Sequence, residues 1–525
     1  MTPIEVAETI VLLLAVAVVL AWLARRLTVP DPVVLVAGGA VLAFLPLGID
    51  IKLDPELVLL LFVAPLLYAD GYYAPVGELR DNAVSIALLA SVLVVVTAVV
   101  VAVVAHVALG ISWEVAFVLG AALGATDALA PVQVMGGAGT DPRLVAVVQG
   151  ESLFNDGVAF ALVGAASAAA VSGSFDALGS AGSLALSVGG GVAVGIGVAW
   201  LVGWARRQTE HVLVEAGISL LTPFAAYVAA EAVHGSGILA AFAAGIWLGT
   251  RQHDWVEPLT RVELQATWQI IAFVLNSLLF LLVGLAAGDI IGEVNQSAGD
   301  VILAGLIITA AVVGIRIVWA MTIAPAWRGA ASRFAKRVRP ASPRAWRMAL
   351  AWSGIRGSVA LAAVLSLPAT RDDGSSMPDR DLIIVLALVV IVVTLLGQGL
   401  TLRPLLERLG LTDPEGPIRE ELFARRAATD AALEHLEEAA DRHDLGQDER
   451  NWLKHEYMLR RGQAEGDQDG AVAQEALAAA EQTDLEMLEA ARQAVIDLEE
   501  QGEIRSEVAQ KVMRKLDLDS ARLRN

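Results

Sequence analysis

Long apolar runs broken by short polar clusters fill the first 410 residues. A helix crosses the hydrocarbon core of a bilayer with roughly 20 mostly apolar residues, because it rises about 1.5 Å per residue over about 30 Å. Thirteen segments approach that length: 4–24, 32–49, 55–73, 82–109, 113–135, 143–171, 180–205, 211–234, 235–250, 264–288, 299–326, 346–368 and 380–408. The ninth is short and glycine-rich. The first is too long for a signal peptide and ends in Arg25-Arg26 without a small-residue cleavage site. The pattern predicts an all-α polytopic membrane protein. Two segments carry helix breakers in mid-run: the fifth between Gly120 and Pro131, and the twelfth between Ser353 and Ser358. Unwound backbone is tolerated at membrane depth only where it is buried in protein or lines a cavity. Paired interruptions in two halves of a chain point to a transporter site. Segments 1–6 and 8–13 are candidate halves, with segment seven inverting the second. The plain alternative is that glycine merely lets helices pack closely.

Beyond Gly410 the apolar runs stop. Pro414-Glu415-Gly416-Pro417 reads as a linker, and the residues after it are rich in Ala, Glu, Gln, Leu and Arg. Helices are expected near 417–440, 446–464, 470–500 and 502–522. The chain thus divides into a membrane domain, 1–410, and an acidic helical tail, 411–525. Overall, 56% of residues are hydrophobic and 18% charged, which excludes an ordinary cytoplasmic enzyme and a disordered chain. The net charge is −20, of which −13 falls in the tail. That sign argues against nucleic acid, whose phosphates need a basic surface. There is no cysteine, so disulfides, thiolate chemistry and cysteine-held metals are out. Arg25, Arg26, Arg80, Arg143, Arg206, Arg207, Arg251, Arg261 and the basic stretch 328–347 occupy alternate connections; the others hold little beyond Lys52, Arg371 and Arg380. By the positive-inside rule the N-terminus lies outside and the tail inside the cell membrane. The tail would be repelled by anionic lipid and attracted by the 328–347 loop; the plain alternative is an acidic helix that only keeps the protein soluble.

Charge within the apolar runs is the next signal, because it is costly there and marks function by default. The deep acids are Asp70, Asp127, Glu151 and Asp156; the deep bases are Arg316 and Arg356. Glu215 and Glu231 fall nearer the ends of segment eight and read as interfacial. Segment six contains Gly150-Glu151-Ser152-Leu153-Phe154-Asn155-Asp156-Gly157. Ser152 and Asp156 are four apart and share a helix face. A hydroxyl and a carboxylate one turn apart suit a hard cation, which prefers oxygen donors. Thr126 and Asp127, on the broken segment, offer a hydroxyl, a freed carbonyl and a second carboxylate; Asp70 offers a third. Four acids against two arginines leave an acidic surplus, whereas a purely structural network balances its charges. A carboxylate withdrawn from water favours its protonated form, and competition between H⁺ and a cation for it is antiport in its simplest form.

These strings resemble a known family. Gly124-Ala-Thr-Asp127, Gly150-Glu-Ser-Leu-Phe-Asn-Asp156, Leu221-Thr-Pro-Phe-Ala-Ala-Tyr-Val-Ala-Ala-Glu231 followed by Ser236-Gly237, Phe273-Val-Leu-Asn-Ser-Leu-Leu-Phe-Leu-Leu-Val-Gly284 and Trp352-Ser-Gly-Ile-Arg-Gly357 are similar to the NhaP-like sodium/proton exchangers among the monovalent cation:proton antiporters. The likeness runs in order through residues 5–408. It implies about thirteen helices in inverted repeats with broken crossing helices, a homodimer, an elevator-like mobile core and no cofactor. It implies that Asp156 binds cation and proton, with Ser152, Thr126 and Asp127 as further Na⁺-site positions, and that Asn155 marks the electroneutral branch. Asp70 stands where the family often has Glu. Glu151 and Arg316 are implied to be a structural ion pair, and Arg356 to compensate charge at the broken helices. One departure is plain: the family places Pro directly after the Asp of segment five, whereas here Ala128 follows Asp127 and the proline is Pro131.

The expected function is exchange of Na⁺ (or Li⁺, K⁺) for H⁺ by a transporter that is not an enzyme. Its expected partners are membrane lipid, monovalent cations, protons and a second copy. A K⁺-selective antiporter and a cation channel are the alternatives, though a channel needs no protonatable carboxylate. An intramembrane protease lacks its Gly-x-Gly-Asp or Gly-x-Ser-Gly context, and a receptor leaves the acidic surplus unexplained.

Overall fold

The computed structural model describes residues 3–27, 30–43, 55–172, 177–209, 211–252, 256–293, 297–323, 344–413, 415–443, 445–465 and 487–498, with Gln501, Val508, Val512, Met513 and Leu516. Those residues are almost wholly helical, with a single isolated bridge between Thr370 and Ser376. Two units separate at the predicted linker, Met1–Asp413 and Pro414–Asn525.

The first unit opens with α1 (Pro3–Leu27) and α2 (Asp31–Ala43). A run from Pro55 passes through a π-helical turn, Leu59–Val63, into α3 (Ala64–Tyr72). A second such turn, Leu88–Leu93, precedes α4 (Val94–Leu109). Segment five is split into α5 (Trp113–Ala122) and α6 (Leu129–Gly137). Then come α7 (Pro142–Ser172), α8 (Ala177–Arg206), α9 (Val212–Glu231), α10 (Gly237–Gly249), α11 (Pro258–Glu293) and α12 (Ala298–Val318). Segment twelve is split into α13 (Ala345–Trp352) and α14 (Ser358–Leu365). The last segment runs from α15 (Arg380–Thr394) through a π turn, Leu395–Gly399, to α16 (Leu400–Arg408). Among the described residues, eight helices or helical runs are long and apolar enough to cross a membrane; α2, α5 and α10 are apolar but shorter. The protein is therefore an all-α, multi-pass membrane protein.

Packing sorts these helices into two groups. In one, α2 lies along α11, and α10 is surrounded by α3, α8 and α9. In the other, α5 packs between α4 and α7, and α12 between α4 and α15. Contacts across the two groups are fewer, mainly where α7, α14 and α15 meet α3, α8 and α11. Within the first group α3 and α10 approach backbone to backbone. A side chain at Gly245 would strike the Tyr68 carbonyl, and one at Gly249 the Tyr72 carbonyl. Small residues four apart give this approach in a membrane, where no hydrophobic effect drives helices together.

In the second unit, α17 (Gly416–Arg442) and α18 (Gln447–Glu465) form a hairpin. Arg450 on α18 bridges Glu437 and Asp441 on α17 and donates to the Leu445 carbonyl at the turn. Residues 487–498 are helical; most of the rest of the expected third and fourth tail helices, and most of the basic 328–347 stretch, lie outside the described residues.

Replacing Gly245 by Val puts two methyl groups where the Tyr68 carbonyl stands, and overpacking at a rigid contact is destabilising. The variant should lose several degrees of apparent melting temperature in detergent, and Gly77→Val, whose site is open, should not.

Candidate functional site

Both interruptions open the same way: a helix ends, the chain is non-helical for a few residues, and a second half-helix begins. In segment five the unwound stretch is Gly124 to Ala128. Pro131 lies in the first turn of α6, a position where the missing N–H costs nothing. The proline shifted from the family's usual position thus starts the second half-helix rather than breaking the first. Asp127 Oδ1 accepts from the Leu129 amide at 2.8 Å, so this carboxylate caps α6 and meets the positive end of its dipole. In segment twelve the chain from Ser353 to Gly357 is unwound.

The two stretches cross and hold each other. The Asp127 amide donates to the Ile355 carbonyl at 2.8 Å. Arg356 Nη1 donates to the carbonyls of Gly124 and Ala125 at 2.9 and 2.7 Å, satisfying acceptors that the broken helix exposes. The Arg356 amide in turn donates to Thr394 Oγ1 on α15. The close approach needs Gly357: a Cβ there would overlap the Asp127 carboxylate.

α7 runs beside this crossing and staples it. Ser152 Oγ donates to the Thr126 carbonyl at 2.7 Å and accepts from the Ala128 amide at 3.1 Å. Asn155 Nδ2 donates to Thr126 Oγ1 at 2.6 Å, and its Oδ1 accepts from the Thr126 amide at 3.3 Å. Ser152, Asn155 and Thr126 therefore spend their polar atoms on one another in this conformation. One turn further on, Asp156 is only 4% exposed, and its Oδ1 has no hydrogen-bond partner among the described residues. Asp127 and Asp70 stand within electrostatic range of it, as does Arg356. Asp70 keeps exposed surface although its neighbours on α3 are buried. Among the described residues no three acidic or histidine side chains converge as a metal site.

Glu151, on another face of α7, forms a buried, two-pronged ion pair with Arg316 of α12, Nη1 to Oε1 and Nη2 to Oε2 at 2.8 Å. Arg316 also donates to the carbonyls of Leu350 and Ala351 at the end of α13. Gly354 leaves room for that guanidinium.

Over residues 13–408 the chain matches the family described as sodium/hydrogen exchanger, transmembrane. It belongs to that family. It is 30% identical to YjcE of Escherichia coli, named an uncharacterized Na(+)/H(+) exchanger, over 94% of each chain. It is also 30% identical to the Na(+)/H(+) antiporter ApNhaP of Aphanothece halophytica, over 78% of this chain and 75% of that one. Its fold is that of the sodium proton antiporter MjNhaP1 from Methanocaldococcus jannaschii, with a TM-score of 0.61 at 16% identity, covering 78% of this chain and 99% of that one. Family membership makes this protein a transporter of monovalent cations and protons rather than an enzyme, with ions as substrates and no cofactor.

Two charged groups near span ends are buried in the protein. Glu215, in the first turn of α9, is 5% exposed, and Arg206, counted among the loop arginines, is 2% exposed. Arg206 ends α8, so its position along the chain looks like a membrane boundary; only the tyrosines of α3 reveal the pocket that takes it in. Thr394 was missed because a threonine in an apolar helix carries no signal of its partner.

Removing one partner of a buried ion pair strands the other charge and costs about 3–5 kcal/mol, whereas replacing both by apolar groups costs far less. Glu151→Gln should therefore lower folded yield and melting temperature sharply. Glu151→Leu with Arg316→Met should recover much of the loss, as read by size-exclusion chromatography and thermal melts.

Proposed function

We propose that the protein exchanges Na⁺ (or Li⁺, K⁺) for H⁺, one for one, with both ions competing for the Asp156 carboxylate. The observation that carries this is the buried, unpartnered Asp156 oxygen at the crossing of two broken helices. An ionised carboxylate left alone at that depth is costly. A proton or a small cation relieves it, and Arg356 makes no hydrogen bond to it, its Nη1 being engaged with the Gly124 and Ala125 carbonyls. The neutral Asn155 beside it, bonded to Thr126, adds no second exchangeable charge, which favours an electroneutral cycle. Ser152, Thr126 and Asp127 frame the site and supply oxygens when the cation enters; Asp70 faces it from the other helix group.

The two helix groups suggest the moving parts. α5, α6, α7, α13 and α14 carry the crossing and Asp156, while α3 and Asp70 belong to the α10 scaffold. Sliding one group past the other would expose Asp156 alternately to each side, in the manner of an elevator, once the bound ion has neutralised it. The reading further places the protein in the cell membrane as a homodimer, N-terminus outside and acidic tail inside. Because the chain has no cysteine, single introduced cysteines would report that orientation without background.

The test is transport by purified protein in vesicles carrying a pH gradient and an internal pH dye. Na⁺, Li⁺ or K⁺ should dissipate the gradient and choline should not; the ranking of the three gives selectivity. Competition requires the apparent KM for Na⁺ to rise as pH falls, approaching tenfold per pH unit where the proton form dominates, with maximal rate little changed. An imposed voltage should leave the rate unchanged. Normal transport by Asp156→Ala, or no cation-driven signal at all, would overturn the reading.

A further inference from the structure

The face of α3 turned away from the crossing carries a second buried polar cluster. Arg206, the last residue of α8, donates from Nη1 to Tyr72 Oη at 3.3 Å and lies 5.7 Å from the centre of the Tyr72 ring. Its Nε and Nη2 have no hydrogen-bond partner among the described residues. Glu215 on α9 lies within electrostatic range, yet its Oε2 is unpartnered as well. Tyr68, one turn before Tyr72, packs on Trp268 of α11, whose indole donates to Ser219 Oγ at 3.0 Å. A guanidinium held this deep with two idle nitrogens is costly, and an apolar side chain would fill the volume more cheaply. Packing alone does not account for it.

The geometry of α3 does. Tyr68 and Tyr72 are four apart and lie on one helix face. Asp70, two residues from each, lies about 200° round the axis, where it senses Asp127 and Asp156. α3 has only nine residues. It continues a helical run from Pro55 through the π turn Leu59–Val63 and gives way to non-helical chain at Tyr73, Ala74 and Pro75, so no following helical turn holds the end that carries Tyr72. Gly245 and Gly249 of α10 set how close α3 comes, with the Ile246 side chain beside Gly71.

We propose that Arg206 is a positioning residue for transport: by holding Tyr72 it fixes the rotation of α3, and with it the direction in which Asp70 faces the ion site. The proposal rests on Asp70 belonging to that site. It separates two roles on one short helix, a tyrosine face clamped to the scaffold and an acidic edge presented to the moving group.

The experiment is a set of double-mutant cycles in the vesicle assay, reading apparent KM for Na⁺ and turnover separately. Asp70→Asn alone should raise the KM. Tyr72→Phe, which removes one oxygen, and Arg206→Gln should each raise it about fivefold, the worth of one lost hydrogen bond, with turnover within about twofold. Arg206→Lys, which can still donate to Tyr72, should recover part of the loss. In an Asp70→Asn background neither Tyr72→Phe nor Arg206→Gln should have further effect. If Asp70→Asn leaves the KM unchanged, the assignment of Asp70 fails and the proposal with it. If Asp70→Asn acts but Tyr72→Phe does nothing, or acts equally without Asp70, the positioning role alone is overturned. Should Arg206→Gln not fold, Tyr72→Phe still decides.

Discussion

The hydrogen bonds from Arg356 to the Gly124 and Ala125 carbonyls hold together what would otherwise be the least stable part of the molecule. A helix broken inside a membrane exposes carbonyls and amides that lipid cannot satisfy, each at a cost of several kcal/mol. Here each broken stretch satisfies the other. Arg356 of one covers the carbonyl end of its partner, the Asp127 amide finds Ile355, and Asp127 caps the half-helix that restarts. The crossing thus satisfies most of its backbone groups internally and leaves the Asp156 Oδ1 and the Arg356 Nε without partners among the described residues. Ser152 and Asn155 are bonded to Thr126 and Ala128 and so give the acid no hydrogen bond.

The support around the crossing follows the same economy. The Glu151–Arg316 pair ties α7 to α12 and to the end of α13, so the helix that bears Asp156 and the helix that leads into Arg356 share one clamp. Glycines sit where backbone must meet backbone or a charged group must pass: Gly357 against Asp127, Gly354 against Arg316, Gly245 and Gly249 against α3. None is needed for a left-handed conformation; each is needed for space. A methyl group at Gly357 would push the Asp127 carboxylate, and with it the cap of α6.

Much of this was legible in the sequence because membranes make charge and broken helices conspicuous. The thirteen apolar segments, the two interruptions, the linker near Pro414 and the acids of α7 all announce themselves by composition or spacing. What was hidden is partner choice. Ser152 and Asp156 do lie on one face, as their spacing requires, but spacing could not say that the hydroxyl would point at the Thr126 carbonyl. Pro131 looked like a displaced breaker and instead opens α6. Arg206 and Glu215 looked like boundary residues because charge near a span end usually snorkels to water; the tyrosine face of α3 draws the arginine inward, and no linear pattern connects positions 72 and 206.

Buried charge finally gives the arrangement its direction. In the scaffold group Arg206 stands against Glu215, leaving Asp70 in excess. In the other group Arg316 answers Glu151, and Arg356 answers one of Asp127 and Asp156, again leaving one acid. The two surplus negative charges therefore face each other across the boundary along which the helix groups meet most sparsely. Like charges in low dielectric repel strongly, so the groups cannot close on each other with both acids ionised and empty. Occupation by a proton or a cation removes that repulsion. Relief of that repulsion on loading is what the proposed exchange cycle requires, and it is the condition that separates an exchanger from a leak.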